Sequence, residues 1–131
     1  MAVIRNLAVI AAACLLFAGV HSFFYHKKKA RVLIFSLTKG YKHESISDGI
    51  AAIKRMQAKN NFEADTTTNP SAFTSDNLRK YKALIFLSPS GDNFFTREQK
   101  SAIQKYIQEG GGFVGIHSAT ACLYSWPWYG Q

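Results

Sequence analysis

Apolar positions along the chain fall into short continuous blocks and helically spaced stripes. Val32-Leu33-Ile34-Phe35-Ser36-Leu37 is a block rich in β-branched and aromatic residues, the pattern of a strand buried on both faces. A polar stretch with a glycine follows, and Ser45 with Asp48 three residues on has the form of a capping box. Ile46, Ile50, Ile53 and Met56 then recur at helical spacing, predicting a helix to about Lys59. Phe62-Glu63-Ala64-Asp65-Thr66 alternates like an edge or half-buried strand, stopped by Asn69-Pro70. Ser75–Tyr81 reads as one or two helical turns.

Ala83-Leu84-Ile85-Phe86-Leu87-Ser88 repeats the character of the first block and breaks at Pro89, Ser90 and Gly91. Thr96 and Gln99 make a second capping box, and Ala102, Ile103, Tyr106 and Ile107 form a stripe ending at Gly110-Gly111-Gly112. Phe113-Val114-Gly115-Ile116 is a fourth strand. This β-α-β-(short α)-β-α-β order, with buried-type strands, predicts an α/β parallel sheet with helices on both faces. Ligands of such sheets sit beyond the carboxyl ends of the strands, here Ser36–Glu44, Ser88–Asn93 and His117–Thr120.

The amino-terminal region is separate in character. Arg5 precedes an apolar run, Leu7–Val20, that contains Cys14 and Gly19 and leads into His21, Ser22, Phe23, Phe24 and Tyr25. Residues 1–25 are read as a signal peptide, with cleavage after Ser22, or as an N-terminal membrane anchor with an interfacial aromatic belt. Either reading makes the domain secreted, periplasmic or membrane-anchored outside the cytoplasm, with membrane association through residues 7–25. Ala11-Ala12-Ala13 before Cys14 argues against a lipoprotein. Cys122 is the one thiol outside the leader, so no disulfide joins two cysteines of the domain.

Charge changes the picture little. The 131 residues carry a net +8, but Arg5, Lys27, Lys28, Lys29 and Arg31 supply much of it. Residues 32–131 hold eleven basic and eight acidic groups, or +3. The remaining cations are scattered over helix faces and no groove-reading motif is present, so nucleic acid is not an expected partner.

The strand-end residues carry a family resemblance. Phe35–Ile46, Ser71-Ala72-Phe73, Phe86-Leu87-Ser88 with Gly91-Asp92, Gly110–Ala119 and the tail Trp126-Pro127-Trp128-Tyr129-Gly130 stand in one order between Arg31 and Gly130. Together they resemble the trehalose-utilisation (ThuA-like) family. The resemblance implies the class I glutamine amidotransferase-like, flavodoxin-like fold for residues 31–131, and a link to disaccharide or oxidised-sugar metabolism. It also puts His117 at the strand-to-helix turn where amidotransferases carry their nucleophilic cysteine. An imidazole there can serve as general base, electrophile or ligand but cannot make a thiolate attack.

His43, in the loop after the first strand, is expected to face His117 across the mouth of the sheet, and the two are the candidate catalytic pair. Asp92 is a candidate acceptor for sugar hydroxyls, and Trp126, Trp128 and Tyr129 offer flat faces for a sugar ring, with packing on the sheet as their alternative role. No HxH or HExxH spacing is present, and neither a metal nor another cofactor is expected. Gly110–Gly112 ends a helix and precedes a strand, the reverse of a phosphate loop. Family members commonly carry acidic residues between the histidine turn and the Trp-Pro-Trp segment, where this chain has Ala121, Cys122, Leu123 and Ser125. The family's domain also continues past the point where this chain stops, so the domain is expected to be its N-terminal portion, truncated at the C-terminus. The residues leave three functions open: an enzyme acting on a carbohydrate, a non-catalytic glycan-binding module, and an inactive fragment.

Overall fold

The computed structural model describes residues 28–131. The proposed leader, with Cys14 and His21, and the adjacent His26 lie outside them. Among the described residues no helix is long and apolar enough to cross a membrane. The elements run β1 (Ala30–Phe35), α1 (Ile46–Asn60), β2 (Phe62–Thr67), a 3₁₀ turn (Pro70–Ala72), α2 (Ser75–Leu78), β3 (Ala83–Leu87), α3 (Arg97–Gln108) and β4 (Gly112–Ile116), followed by 3₁₀ turns at His117–Thr120 and Pro127–Gly130. The strands form one parallel sheet in the order β2-β1-β3-β4.

Side chains along a strand alternate between faces, so a continuous apolar block supplies two cores at once. Ile34 pairs with Ile85 and Phe35 with Phe86 across β1 and β3. On one face Ile34 and Leu87 meet Ile46, Ile50 and Ile53 of α1. On the other, Leu33, Phe35, Leu84 and Phe86 meet Leu78 of α2, Ala102, Ile103 and Tyr106 of α3, and Trp126 of the tail. Phe35 is fully buried, edge-on to Phe73 at 4.8 Å and stacked with Phe95 at 5.4 Å. Edge strand β2 carries Glu63 and Asp65. At the other edge, Phe113 and Val114 of β4 remain 40% and 46% exposed.

Three local details refine the sequence reading. The Thr96–Gln99 capping box is formed in both directions. The Ser45–Asp48 box is not, because Ser45 has helical dihedrals and its side chain makes no capping bond. The amide of Ile46 instead donates to the His43 carbonyl at 3.3 Å, and Ser47 Oγ to the Glu44 carbonyl at 3.1 Å. Arg31, placed by its neighbours in a basic run, pairs with Asp65 and lies 5.1 Å over the Tyr81 ring. That arrangement covers the amino-terminal end of the sheet with an ion pair and an aromatic face.

The glycine run terminates α3 as its position suggested. Gly110 has φ +89°, and the Gly111 amide donates to the Tyr106 carbonyl at 2.9 Å, a left-handed helix stop. A Cβ at Gly111 would lie 2.2 Å from the Tyr106 ring. Gly111→Ala is therefore expected to lower stability by about 1–3 kcal/mol through overpacking. Thr96→Ala is expected to cost about 1 kcal/mol through loss of the cap. Urea midpoints of the two variants against the parent check both values, and an unchanged midpoint in Gly111→Ala would show that the Tyr106 contact is not tight.

Candidate active site

The order of the strands reverses between β1 and β3, since the chain steps from β1 out to β2 and then returns to the other side of β1. Loops leaving neighbouring strands at such a point diverge and leave a crevice at their carboxyl ends. The loop after β1 is laced to the loop after β3 across this crevice. The Lys39 amide donates to the Ser90 carbonyl at 2.9 Å and the Ser90 amide to the Leu37 carbonyl at 3.0 Å. Ser90 Oγ also accepts from the Gly40 amide at 3.3 Å and donates to the Tyr41 carbonyl at 2.7 Å. Ser90 is buried, so this hydroxyl replaces solvent for two loop backbone groups at once. Its positioning role was invisible in the sequence, where Pro89-Ser90-Gly91 carries only turn chemistry.

Held in this way, the loop delivers His43, whose carbonyl also receives the first amide of α1. The half-buried His43 ring lies 4.9 Å from the ring of exposed Tyr41 on one side and 4.3 Å from His117 on the other, in both cases edge to face. His117 comes from β4, with β3 between its strand and that of His43. The two imidazoles thus meet over the end of β3.

His117 has φ +54°, the left-handed region that a residue with a Cβ seldom occupies. The turn is packed tightly beneath it. A Cβ at Gly115 would sit 3.2 Å from that of Ala119, so small residues at both positions let the strand fold sharply into the 3₁₀ turn. Thr120 Oγ1 donates to the His117 carbonyl at 3.3 Å. The neighbouring hydroxyl of Ser118 is buried with no hydrogen-bond partner. This is the geometry by which a sharp strand-to-helix turn displays one side chain to solvent, and here that side chain is an imidazole.

The other candidates lie elsewhere. Asp92 engages the tail: Oδ2 accepts from the Ser125 amide at 3.0 Å, and Oδ1 from Ser125 Oγ at 2.8 Å and the Asn93 amide at 2.8 Å. Trp126 is buried, stacks on Tyr129 at 5.8 Å, and has Lys100 Nζ 5.7 Å over its ring. Tyr129 donates to the Ala119 carbonyl at 2.7 Å. Together with Phe113, Ile103 and the half-buried Trp128, these rings line a mostly apolar cavity of about 700 Å³, and neither histidine nor Asp92 is among its lining residues. The five side chains and Asp92 are therefore divided between an imidazole pair, a loop latch and an aromatic cavity.

Cys122 lines that cavity and is not poised for attack. Burial pushes its thiol up, and burial together with the adjacent Cys122 likewise pushes the Tyr129 phenol far up, so both stay protonated at neutral pH. The Ser125 hydroxyl, followed by the Asn93 and Ser125 amides and Lys100, holds the Asp92 carboxyl below the usual carboxylate range. A depressed carboxylate contributes its link at neutral pH and loses it only as pH falls through that lowered value. Ser125→Ala is expected to move the Asp92 midpoint up towards the ordinary range, read from its carboxyl carbon shift in an NMR titration. An unmoved midpoint would mean that the Ser125 hydroxyl does not hold the carboxylate.

No curated protein matches the chain. The crystal structure of a ThuA-like protein from Bacteroides uniformis superposes with a TM-score of 0.59 at 26% identity, over 80% of this chain and 44% of that one. This chain thus spans less than half the length of that relative. The family model described as ThuA, trehalose utilisation, matches residues 31–131. With the parallel sheet, the sharp histidine turn and the Trp-Pro-Trp-Tyr-Gly tail in one order, the chain belongs to the ThuA family.

Proposed function

We propose that this ThuA domain acts on a carbohydrate, trehalose or a related oxidised disaccharide, at the carboxyl ends of β1, β3 and β4. His43 and His117 are its catalytic pair. The observation that carries the reading is the 4.3 Å approach of two imidazoles from loops 74 residues apart. A neutral imidazole both accepts and donates a proton, so the pair can take a proton from one sugar hydroxyl while hydrogen-bonding a second oxygen. The strain at His117 supports the assignment, since such strain persists where surrounding packing over-determines it and concentrates at functional turns. Residues 1–25 would deliver the domain out of the cytoplasm as a signal peptide or anchor.

The aromatic tail contributes a second, apolar surface. Trp128 and Tyr129 offer ring faces to a sugar from the cavity, whereas Trp126 serves mainly to pack the core. A glycan-binding module without catalysis is the second reading. It is favoured by the engagement of Asp92 with Ser125, which commits that carboxylate to the loop rather than to the imidazole pair.

His117→Asn is the informative substitution, because asparagine tolerates the left-handed backbone and removes the imidazole. Turnover of trehalose or keto-disaccharides by the full chain is expected to fall by about 10²-fold or more in His117→Asn with an unchanged thermal melt. Sugar binding without turnover, weakened in Trp128→Ala, would establish the binding module instead. Neither binding nor turnover in the parent chain would overturn the carbohydrate reading.

A further inference from the structure

The imidazole pair has a second chemical capacity, and this inference rests on reading that pair as the polar centre of the site. Among the described residues no group of three or more His, Cys, Asp or Glu side chains is placed to hold a metal. A closed, protein-only cage of the structural zinc type is therefore not built from them. An open chelate needs less, namely two ring nitrogens that reach one point with the remaining positions left to water or substrate.

The spacing of the rings decides whether they reach it. With a metal–nitrogen distance of about 2.0–2.1 Å, the metal lies about 3.2 Å from each ring centroid. Two imidazoles at a tetrahedral angle then have centroids about 5.2 Å apart, and two at a right angle about 4.5 Å apart. The separation of His43 and His117 is 4.3 Å, next to the right-angle value. Their planes cross at 72°. Turning a ring about its Cβ–Cγ bond is soft for histidine, and the centroid lies close to that axis. The turn therefore changes where the nitrogens point while leaving the separation nearly unchanged.

We infer that His43 and His117 form an open, right-angled chelate for a divalent first-row transition ion. Right-angled nitrogen ligation suits Cu²⁺ or Ni²⁺ better than tetrahedral Zn²⁺. The exposure of His117 leaves the other coordination positions accessible to water or to sugar oxygens. His43 is the fixed arm of the chelate, because Ser90 and the start of α1 tie its loop down on both sides. His117 is fixed by the packing of its turn.

Copper resonance spectroscopy on the full chain without added histidines tests this directly. One Cu²⁺ per chain is expected, with splitting from two nitrogens, falling to one nitrogen in His43→Ala and in His117→Asn. Calorimetric affinity is expected to drop more than about tenfold in either variant, since even loss of an outer-shell partner costs that much. A His21→Ala, His26→Ala variant is expected to keep the full signal. Loss of the signal in that variant, or a two-nitrogen signal surviving His117→Asn, would overturn the chelate. So would no binding in the parent chain. If sugar binding or turnover still depends on His117 when no ion binds, the chelate alone fails and the carbohydrate reading stands.

Discussion

Burial of both faces of the β1–β3 pair is the constraint on which the rest of the molecule depends. From Val32 to Phe35 in β1 and throughout β3 every residue is apolar, so neither strand can sit at a solvated surface without leaving a row of large side chains in water. Ile34 and Ile85 settle the α1 face, and Phe35 and Phe86 the opposite one. With the register set in this way, the two strands end together and their loops emerge side by side. Ser90 can then satisfy backbone groups of the β1 loop, and His43 comes to rest against a residue from β4.

The aromatic tail belongs to the same logic. Trp126 extends the cluster of Phe35, Phe73, Phe86 and Phe95 beyond the sheet, and Tyr129 is fixed by a hydrogen bond to the very turn that displays His117. Asp92 ties the β3 loop to Ser125 on the way into that tail. The residues furthest from the imidazoles in role are thus mechanically joined to them, through Ala119 on one side and the β3 loop on the other. A stability change in the tail is expected to reach the histidine turn through these links.

Strain and packing oppose one another at His117. A left-handed backbone at a residue with a side chain costs of order 1–3 kcal/mol. Its persistence requires that Gly115 and Ala119 pack closely and that the turn be bonded from Thr120 and Tyr129. The buried, unpartnered hydroxyl of Ser118 adds a further local cost. Left-handed backbone recurs at Ser88, Asn93 and Leu123, so the fold carries such costs in the loops beyond the strands, while the strands beneath are regular.

Most of the architecture was legible in the order of the residues, because hydrophobic period and turn composition are local properties. The blocks at Val32–Leu37 and Ala83–Ser88, the alternation at Phe62–Thr66, the Thr96–Gln99 box and the Gly110–Gly112 stop all depend on neighbours within a few positions. The Ser45 box failed for the converse reason: once the chain enters α1 through a turn beginning at His43, Ser45 is already helical and its hydroxyl no longer faces the free amides. The meeting of His43 with His117 was foreseeable from topology, since parallel strands release their loops at one rim. Nothing local could tell that Asp92 would close on Ser125, that the tryptophans would line a cavity apart from the histidines, or that Arg31 would leave its basic run for Asp65. Those outcomes depend on which side chains compete for one partner or one volume in space, and only the packed chain brings the competitors together.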